Sequence, residues 1–89
     1  MSFWGVKRTD DFSRDIKKYR NNYELLRELE QRIERLREDP VVIGGELGGR
    51  LHGSKSTRLL KNFRLIFSID VAHKIVYLEA IDHRKQVYG

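Results

Sequence analysis

The chain has 89 residues, a net charge of +5 and no cysteine. This length corresponds to one domain, residues 1–89, since typical domains run to about 100–150 residues. The absence of cysteine excludes disulfides, thiol nucleophiles and cysteine metal sites, and it fits a reducing cytoplasm. The apolar runs are far shorter than the ~20 residues of a membrane helix, and the N-terminus lacks a signal-peptide pattern. We therefore expect a single cytoplasmic domain.

Charge is distributed unevenly along the chain. Residues 10–39 carry nine acidic and eight basic side chains, whereas residues 40–89 carry eight basic and four acidic ones. Between Arg50 and Ile69 there are five bases and no acid. A basic second half suits a polyanion such as RNA, DNA or an acidic protein segment. The alternative is a surface that only keeps the protein in solution.

The first half of the chain predicts a strand followed by two helices. Residues 2–9 alternate loosely, as in a short strand. Thr9 offers a helix cap, and the apolar side chains after it have the spacing of one helix face. Two asparagines at positions 21 and 22 end this helix. A longer amphipathic helix follows, with its apolar stripe at Leu25, Leu26, Leu29, Ile33 and Leu36, and Pro40 ends it.

The second half predicts three strands. Residues 63–70 alternate strictly, with the apolar side chains Phe63, Leu65, Phe67 and Ile69 expected to face the helices. Residues 57–60 are expected to form the strand before it. After a turn at residues 71–73, residues 74–82 predict another strand, with Val76, Leu78 and Ala80 on one face. The order β-α-α-β-β-β indicates an α+β fold, a two-helix hairpin packed on a mainly antiparallel, twisted sheet.

Two arginines are expected on the sheet face turned away from the helices. Arg64 alternates with the apolar side chains of its strand, so it must project from the opposite side. Arg58 lies six residues earlier, and an even separation keeps it on the same face if no bulge intervenes. Lys55 and Lys61 lie nearby in the sequence. Guanidinium groups suit phosphate oxygens and stabilise the charge that builds up during phosphate cleavage.

The C-terminal segment adds two polar side chains of interest. His83 can exchange protons near neutral pH, and Tyr88 can stack on a base or donate a hydrogen bond to phosphate. A single histidine beside an arginine is more often a surface residue than a catalytic one. The other two histidines, His52 and His73, have no metal-ligand spacing.

Four segments in order resemble the RelE/ParE toxin superfamily. They are Leu51-His-Gly53, then Ser56-Thr-Arg58-Leu, then Lys61-Asn-Phe-Arg64-Leu-Ile-Phe, and then Ile81-Asp-His83-Arg84-Lys-Gln-Val-Tyr88. The resemblance covers essentially the whole chain and implies a RelE-like fold. RelE-like members are ribosome-dependent endoribonucleases, or mRNA interferases. They use no metal or other cofactor, and the RNA 2′-hydroxyl attacks the adjacent phosphate.

The resemblance also implies a role for each matching position. Arg64 would hold the scissile phosphate, and Arg58 would stabilise the transition state or help activate the 2′-hydroxyl. His83 and Arg84 match the segment that provides the general acid, and Tyr88 matches the tyrosine that stacks on or orients the RNA. Further cations are expected to bind RNA: Arg50, Lys55, Lys61 and Lys85.

The general base is the role that the resemblance leaves open. Some relatives use a glutamate just before the Leu-x-Gly turn, and Glu46 lies about one residue out of register with it. Lys55 and Arg58 are the other candidates, although an arginine rarely gives up its proton. Asp82 occupies a position that is commonly glycine in the family.

The resemblance implies partners and leaves two alternatives to RNA cleavage. The expected partners are messenger RNA, the ribosomal A site and a small, acidic, partly disordered antitoxin. The alternatives are a ParE-like toxin that inhibits DNA gyrase without catalysis, and an inactive homologue that keeps the fold. We expect the cations of the later strands and the His-Arg and Tyr side chains of the C-terminal segment to share one exposed surface. Their scatter over opposite sides of the sheet, or their burial in the interior, would overturn the interpretation as a nuclease.

Overall fold

The computed structural model describes residues 3–41, 45–46 and 54–83. In chain order the elements are β1 (Gly5–Arg8), α1 (Asp10–Lys18), α2 (Tyr23–Glu38), β2 (Gly45–Glu46), β3 (Ser54–Leu59), β4 (Phe63–Asp70) and β5 (Ile75–His83). This is the predicted α+β fold and the predicted order, with the two-residue strand β2 in addition. A strand of two residues in a glycine-rich stretch has no periodicity that the sequence could reveal.

The strands form one sheet in the order β1-β5-β4-β3-β2. β1 runs parallel to β5, and the other neighbouring pairs are antiparallel, as expected for consecutive strands with short connections. Within the described residues, no helix is long and apolar enough to cross a membrane.

Side-chain caps set the start of both helices. The Thr9 hydroxyl accepts a hydrogen bond from the Phe12 backbone N–H at 3.2 Å, and the Asn22 side chain accepts one from the Leu25 N–H at 3.1 Å. These bonds satisfy N–H groups that have no partner within the helix. Asn22 therefore both separates the two helices and starts the second one.

The helices bury their apolar stripes on one face of the sheet. The core consists of side chains from both helices and from β3, β4 and β5: Phe12, Leu25, Leu29, Leu36, Leu59, Phe63, Leu65, Phe67, Val76, Leu78 and Ile81. Leu26, Ile33 and Ile69 are half-buried against it. The predicted alternation of β4 is thus confirmed, and its apolar side chains face the helices. The opposite side of the sheet is called the open face below.

Strand β5 contains a bulge that the sequence does not reveal. Leu78 pairs with Phe67 and Ala80 pairs with Ile66, so Glu79 has no partner on β4. Because one extra residue reverses the alternation beyond it, Ile81 becomes a core residue and Ala80 lies on the open face with Ile66. The prediction that Ala80 shares a face with Val76 and Leu78 is therefore wrong.

Helix α1 and the residue before it hold the backbone on both sides of this bulge. The Thr9 hydroxyl lies 3.0 Å from the carbonyl oxygens of both Leu78 and Glu79. The Asp15 carboxylate accepts a hydrogen bond from the Ile81 N–H at 2.8 Å. These side chains satisfy backbone groups that the disrupted strand ladder does not pair.

Candidate functional site

Two arginines lie side by side on the open face. Arg58 of β3 pairs directly with Arg64 of β4. This pair lies between two pairs of buried residues, Leu59–Phe63 and Thr57–Leu65. Arg58 is exposed and Arg64 is half-buried. The sequence spacing predicted a shared face for the two arginines on the condition that the strand continues without a bulge. They do share it, but as cross-strand neighbours in a hairpin.

The arginine pair makes no ion pair within the described part of the chain. No ion pair to a described carboxylate is formed by either guanidinium. Like charges directly opposite each other in a sheet repel and lower stability. An anion placed between two such guanidinium groups relieves the repulsion and receives hydrogen bonds from both.

Asp82 extends this row across a third strand. It pairs with Arg64 on β5, so Arg58, Arg64 and Asp82 follow one another across the open face. Asp82 is exposed, and its carboxylate forms no hydrogen bond or ion pair with any described residue. Sequence reasoning treated it as a departure from the family pattern. Alternation along β5 does not reveal the face that Asp82 occupies, because the bulge at Glu79 moves Asp82 to the other side of the sheet.

His83 lies on the opposite side of the sheet from the arginines. It pairs with the core residue Phe63, and the two rings stack with their centroids 4.5 Å apart and their planes at 15°. Tyr19 of α1 contacts both rings edge-on, at 5.2 Å from Phe63 and 6.2 Å from His83. The expectation that His83 shares a surface with Arg64 is therefore wrong, since the bulge reverses the end of β5.

The lysines predicted at the site are also separated. Lys55 pairs with the core residue Phe67, and its amine donates a hydrogen bond to the Val41 carbonyl oxygen at 2.7 Å. It thus ties the segment after α2 to β3, on the side away from the arginine pair. Lys61 is exposed in the turn that joins β3 to β4, close along the chain to Arg58 and Arg64.

The remaining predicted residues are placed only in part. Glu46 pairs through its backbone with Lys55 in the β2–β3 ladder. Four residues lie outside the described part of the chain: Arg50, Arg84, Lys85 and Tyr88. Their roles stay predictions.

A cleft of about 560 Å³ opens beside Asp82. Its walls come from the open face of β3, β4 and β5 and from the start of α1: Asp11, Ser54, Ile66, Glu79, Ala80, Ile81 and Asp82. The Glu79 carboxylate accepts a hydrogen bond of 2.6 Å from the Ser68 hydroxyl. The lining of the cleft therefore combines apolar residues, among them Ile66 and Ala80, with the carboxylate-bearing residues Glu79 and Asp82.

Asp70 is a further carboxylate of the sheet, at the end of β4 distant from the arginines. The His73 ring bonds to it at 2.9 Å, and the His73 backbone N–H donates to it at 3.2 Å. These hydrogen bonds, the side-chain one foremost, hold the pKa of Asp70 below its ordinary value. Asp70 therefore serves the β4–β5 turn, and six residues separate it from Arg64.

The sequence and the fold can be compared with those of known proteins. Residues 6–88 match the family model of the ParE toxin of type II toxin–antitoxin systems. No match is found among curated protein sequences.

Solved structures show the same fold. The toxin–antitoxin complex RelBE2 from Mycobacterium tuberculosis contains a chain with 29% identity and a TM-score of 0.70, and the match covers 92% of this chain and 99% of that one. The YoeB/ParE toxin from Agrobacterium tumefaciens has 14% identity and a TM-score of 0.79, over 91% and 99% of the two chains. YafQ from E. coli has 14% identity and a TM-score of 0.77, over 97% and 99%.

These likenesses confirm the predicted resemblance to RelE/ParE toxins and the predicted fold. The family model spans nearly all of the chain, including β1, both helices and the arginine-bearing strands. The chain belongs to the ParE toxin family, and it is a toxin of a type II toxin–antitoxin system.

Proposed function

We propose that this toxin is an endoribonuclease that cuts messenger RNA on the ribosome. The observation that carries the proposal is the pair Arg58 and Arg64, adjacent on the open face and in no ion pair with a described carboxylate. Two neighbouring guanidinium groups form a fork that matches phosphate oxygens. A toxin that acts by binding alone would not by itself require Arg58 and Arg64 to adjoin.

The chemistry is attack by the RNA 2′-hydroxyl on the adjacent phosphate. Negative charge accumulates on the phosphate oxygens in the transition state, and preformed cationic donors stabilise that charge more than they stabilise the ground state. Arg64 would hold the scissile phosphate, and Arg58 would bind the same group from the neighbouring strand. The reaction needs no metal or other cofactor in this scheme.

Residues of the C-terminal segment would complete the site. Arg84 and Tyr88 keep their proposed roles in proton donation and in orienting the RNA, and Arg50, Lys61 and Lys85 would bind flanking phosphates. His83 would have to leave its stack on Phe63 to act as the acid, since its ring lies on the other side of the sheet. Its placement, and that of Lys55, counts against the complete set suggested by the sequence.

An antitoxin is the proposed partner that controls this activity. The RelBE2 structure from Mycobacterium tuberculosis is a toxin–antitoxin complex. For this chain we propose a small acidic antitoxin, partly disordered when free, that folds over the basic surface and blocks RNA. The proposed setting is the cytoplasm, where messenger RNA and the ribosomal A site are found.

Replacement of Arg64 by alanine tests the proposed function. The variant should fold normally, because the side chain faces away from the core, and message cleavage should fall about 10²–10³-fold. The measurement is primer-extension mapping of transcripts after induction of the toxin. Arg27→Ala, which removes an exposed arginine from α2, is the matched control and should cleave normally. Full toxicity of Arg64→Ala would contradict the proposal.

Inhibition of DNA gyrase is the second candidate function. The match to the ParE family model supports it, as does the separation of His83 from the arginines. The same induction experiment discriminates between the candidates. Cuts at defined codon positions support cleavage, whereas growth arrest with intact messages and damaged DNA supports gyrase inhibition. An absence of arrest would indicate an inactive homologue.

A further inference from the structure

We propose that Asp82 is the general base of the cleavage reaction, an inference that rests on the proposed endoribonuclease function. Its carboxylate would take the proton from the attacking 2′-hydroxyl. Asp82 was not among the sequence-based candidates for the base, because a β5 without a bulge would place Asp82 on the helix side of the sheet and His83 on the open face. The bulge at Glu79 reverses these two placements.

The location of Asp82 suits this role. It is the register partner of Arg64, and directly opposite residues of an antiparallel pair have Cβ atoms about 4.5–5.5 Å apart. A phosphate held by Arg64 therefore lies within reach of the Asp82 side chain. The carboxylate is exposed and has no hydrogen bond to any described residue, so its oxygens are available to an incoming hydroxyl.

The other candidates for the base are less well placed. Lys55 lies on the helix side of the sheet and is bonded to the Val41 carbonyl. Glu46 pairs through its backbone with Lys55, which is three residues or about 10 Å along β3 from Arg58. Arg58 is unsuited because a guanidinium keeps its proton at any working pH.

The neighbouring carboxylates of the open face have other partners. Glu79 accepts the short hydrogen bond from Ser68, and Asp70 is bonded to His73 in the distant turn. Asp11 pairs with Arg14 on the surface of α1 at 3.5 Å. Among the described residues, Asp82 is thus the carboxylate that adjoins the arginine pair and remains unpaired.

The cleft beside Asp82 provides a place for the reacting nucleotide. Ile66 and Ala80 supply apolar lining, and Ser54 of β3 lines the same cleft. A nucleobase bound in the cleft would place its ribose beside Asp82. Asp82 would then lie between the nucleobase and the phosphate that Arg64 binds. A base and its own 3′ phosphate flank the 2′-hydroxyl that must be deprotonated.

The reaction step balances with the groups named. Asp82 accepts the 2′-hydroxyl proton as the 2′ oxygen forms a bond to the phosphorus. The bond between phosphorus and the 5′ oxygen breaks, which leaves a 2′,3′-cyclic phosphate and a 5′-alkoxide. The general acid protonates the alkoxide, and Asp82 and that acid return to their starting states by exchanging protons with solvent. No oxidant, metal or net water is consumed.

The test compares Asp82→Asn with the wild-type protein on ribosomes programmed with messenger RNA, under single-turnover conditions. The asparagine keeps the shape and removes the basic oxygen, so the cleavage rate should fall about 10²–10⁴-fold. Asp82→Glu restores a carboxylate and should recover part of the rate. Binding of an RNA with a 2′-deoxy nucleotide at the cleavage position should not weaken.

Asp70→Asn is the matched control, since it removes a carboxylate from the same sheet at a distance from the arginines. This variant should cleave at the wild-type rate. Unchanged cleavage by Asp82→Asn, or faster cleavage by Asp82→Gly, would overturn the inference while the proposed function stands. If the wild-type protein leaves the message intact, the proposed function fails and the inference fails with it.

Discussion

At the scale of single residues, the Arg58–Arg64 pair opposes the stability of the sheet. Two guanidinium groups face each other between β3 and β4, and no described carboxylate neutralises them through an ion pair. If this surface bound no ligand, almost any neutral residue at position 58 would make the folded protein more stable. The retention of both charges fits a site that is complete only when an anion binds.

Arg58→Thr is therefore expected to stabilise the folded protein while it reduces RNA cleavage. The free energy of unfolding should rise by about 0.2–1 kcal/mol, because the like-charge contact is removed. Urea denaturation at low salt measures this change, and the gain should shrink at 1 M salt, where charges are screened within about 3 Å.

Lys7→Thr provides the control for this prediction. Lys7 lies on β1 opposite Tyr77, an uncharged residue, so the same change of residue type relieves no like-charge contact across the strands. An equal gain in both variants would show that threonine favours the strand generally and that Arg58 and Arg64 do not repel each other.

At the scale of elements, the bulge in β5 decides which side chains reach the open face. Ahead of it Val76 and Leu78 enter the core, and beyond it Ile81 does so. The Asp15 carboxylate bonds to the Ile81 N–H at 2.8 Å, just past the unpaired residue. Helix α1 thus stabilises an irregular strand whose alternation would otherwise place Asp82 on the other face.

Asp15→Ala should destabilise this arrangement. The Ile81 N–H would lose its partner next to the core, and a buried donor left unpaired costs about 1–3 kcal/mol. Urea denaturation measures the loss of stability, and hydrogen exchange of the Ile81 amide should become faster. Asp15→Asn retains an acceptor oxygen and should lose less. Equal stability of the wild-type and alanine proteins would show that the hydrogen bond does not support the bulge.

Predictability differed between elements for a related reason. Strand β4 was predicted correctly because it is regular, so its period of two residues matches its apolar and polar alternation from Phe63 to Asp70. The helices were predicted from their apolar spacing and their caps. β5 was predicted as a strand, but the facing of Ala80 and His83 was wrong, because a bulge leaves no sign in the alternation on either side of it.

At the scale of the whole molecule, a net charge of +5 and an arginine pair on the open face favour binding of polyanions. The acidic side chains that balance the first half of the chain lie largely on the helices, for example at Glu30 and Glu34 of α2. Helices α1 and α2 together carry eight acidic and seven basic side chains, so the excess of positive charge lies in the rest of the chain.

RNA binding should consequently weaken as salt concentration rises. For a short single-stranded RNA with a 2′-deoxy nucleotide at the cleavage position, the logarithm of the binding constant should fall linearly with the logarithm of salt concentration. Arg64→Ala should reduce the slope by about 0.7, the value for one phosphate contact in a single strand. Arg27→Ala should leave the slope unchanged. A common slope for Arg64→Ala and the wild-type protein would show that Arg64 does not bind phosphate.

The sequence by itself determined the fold class, the order of the elements, the family and the position of Arg58 and Arg64 on the sheet face turned away from the helices. Each follows from local periodicity or from ordered motifs, which a linear chain carries in full. Only the tertiary structure decided that Arg58 and Arg64 are cross-strand neighbours, that Asp82 joins them and that His83 packs on Phe63. The reason is that strand register and the bulge depend on partners distant in sequence, such as Asp15 for Ile81 and Phe67 for Leu78.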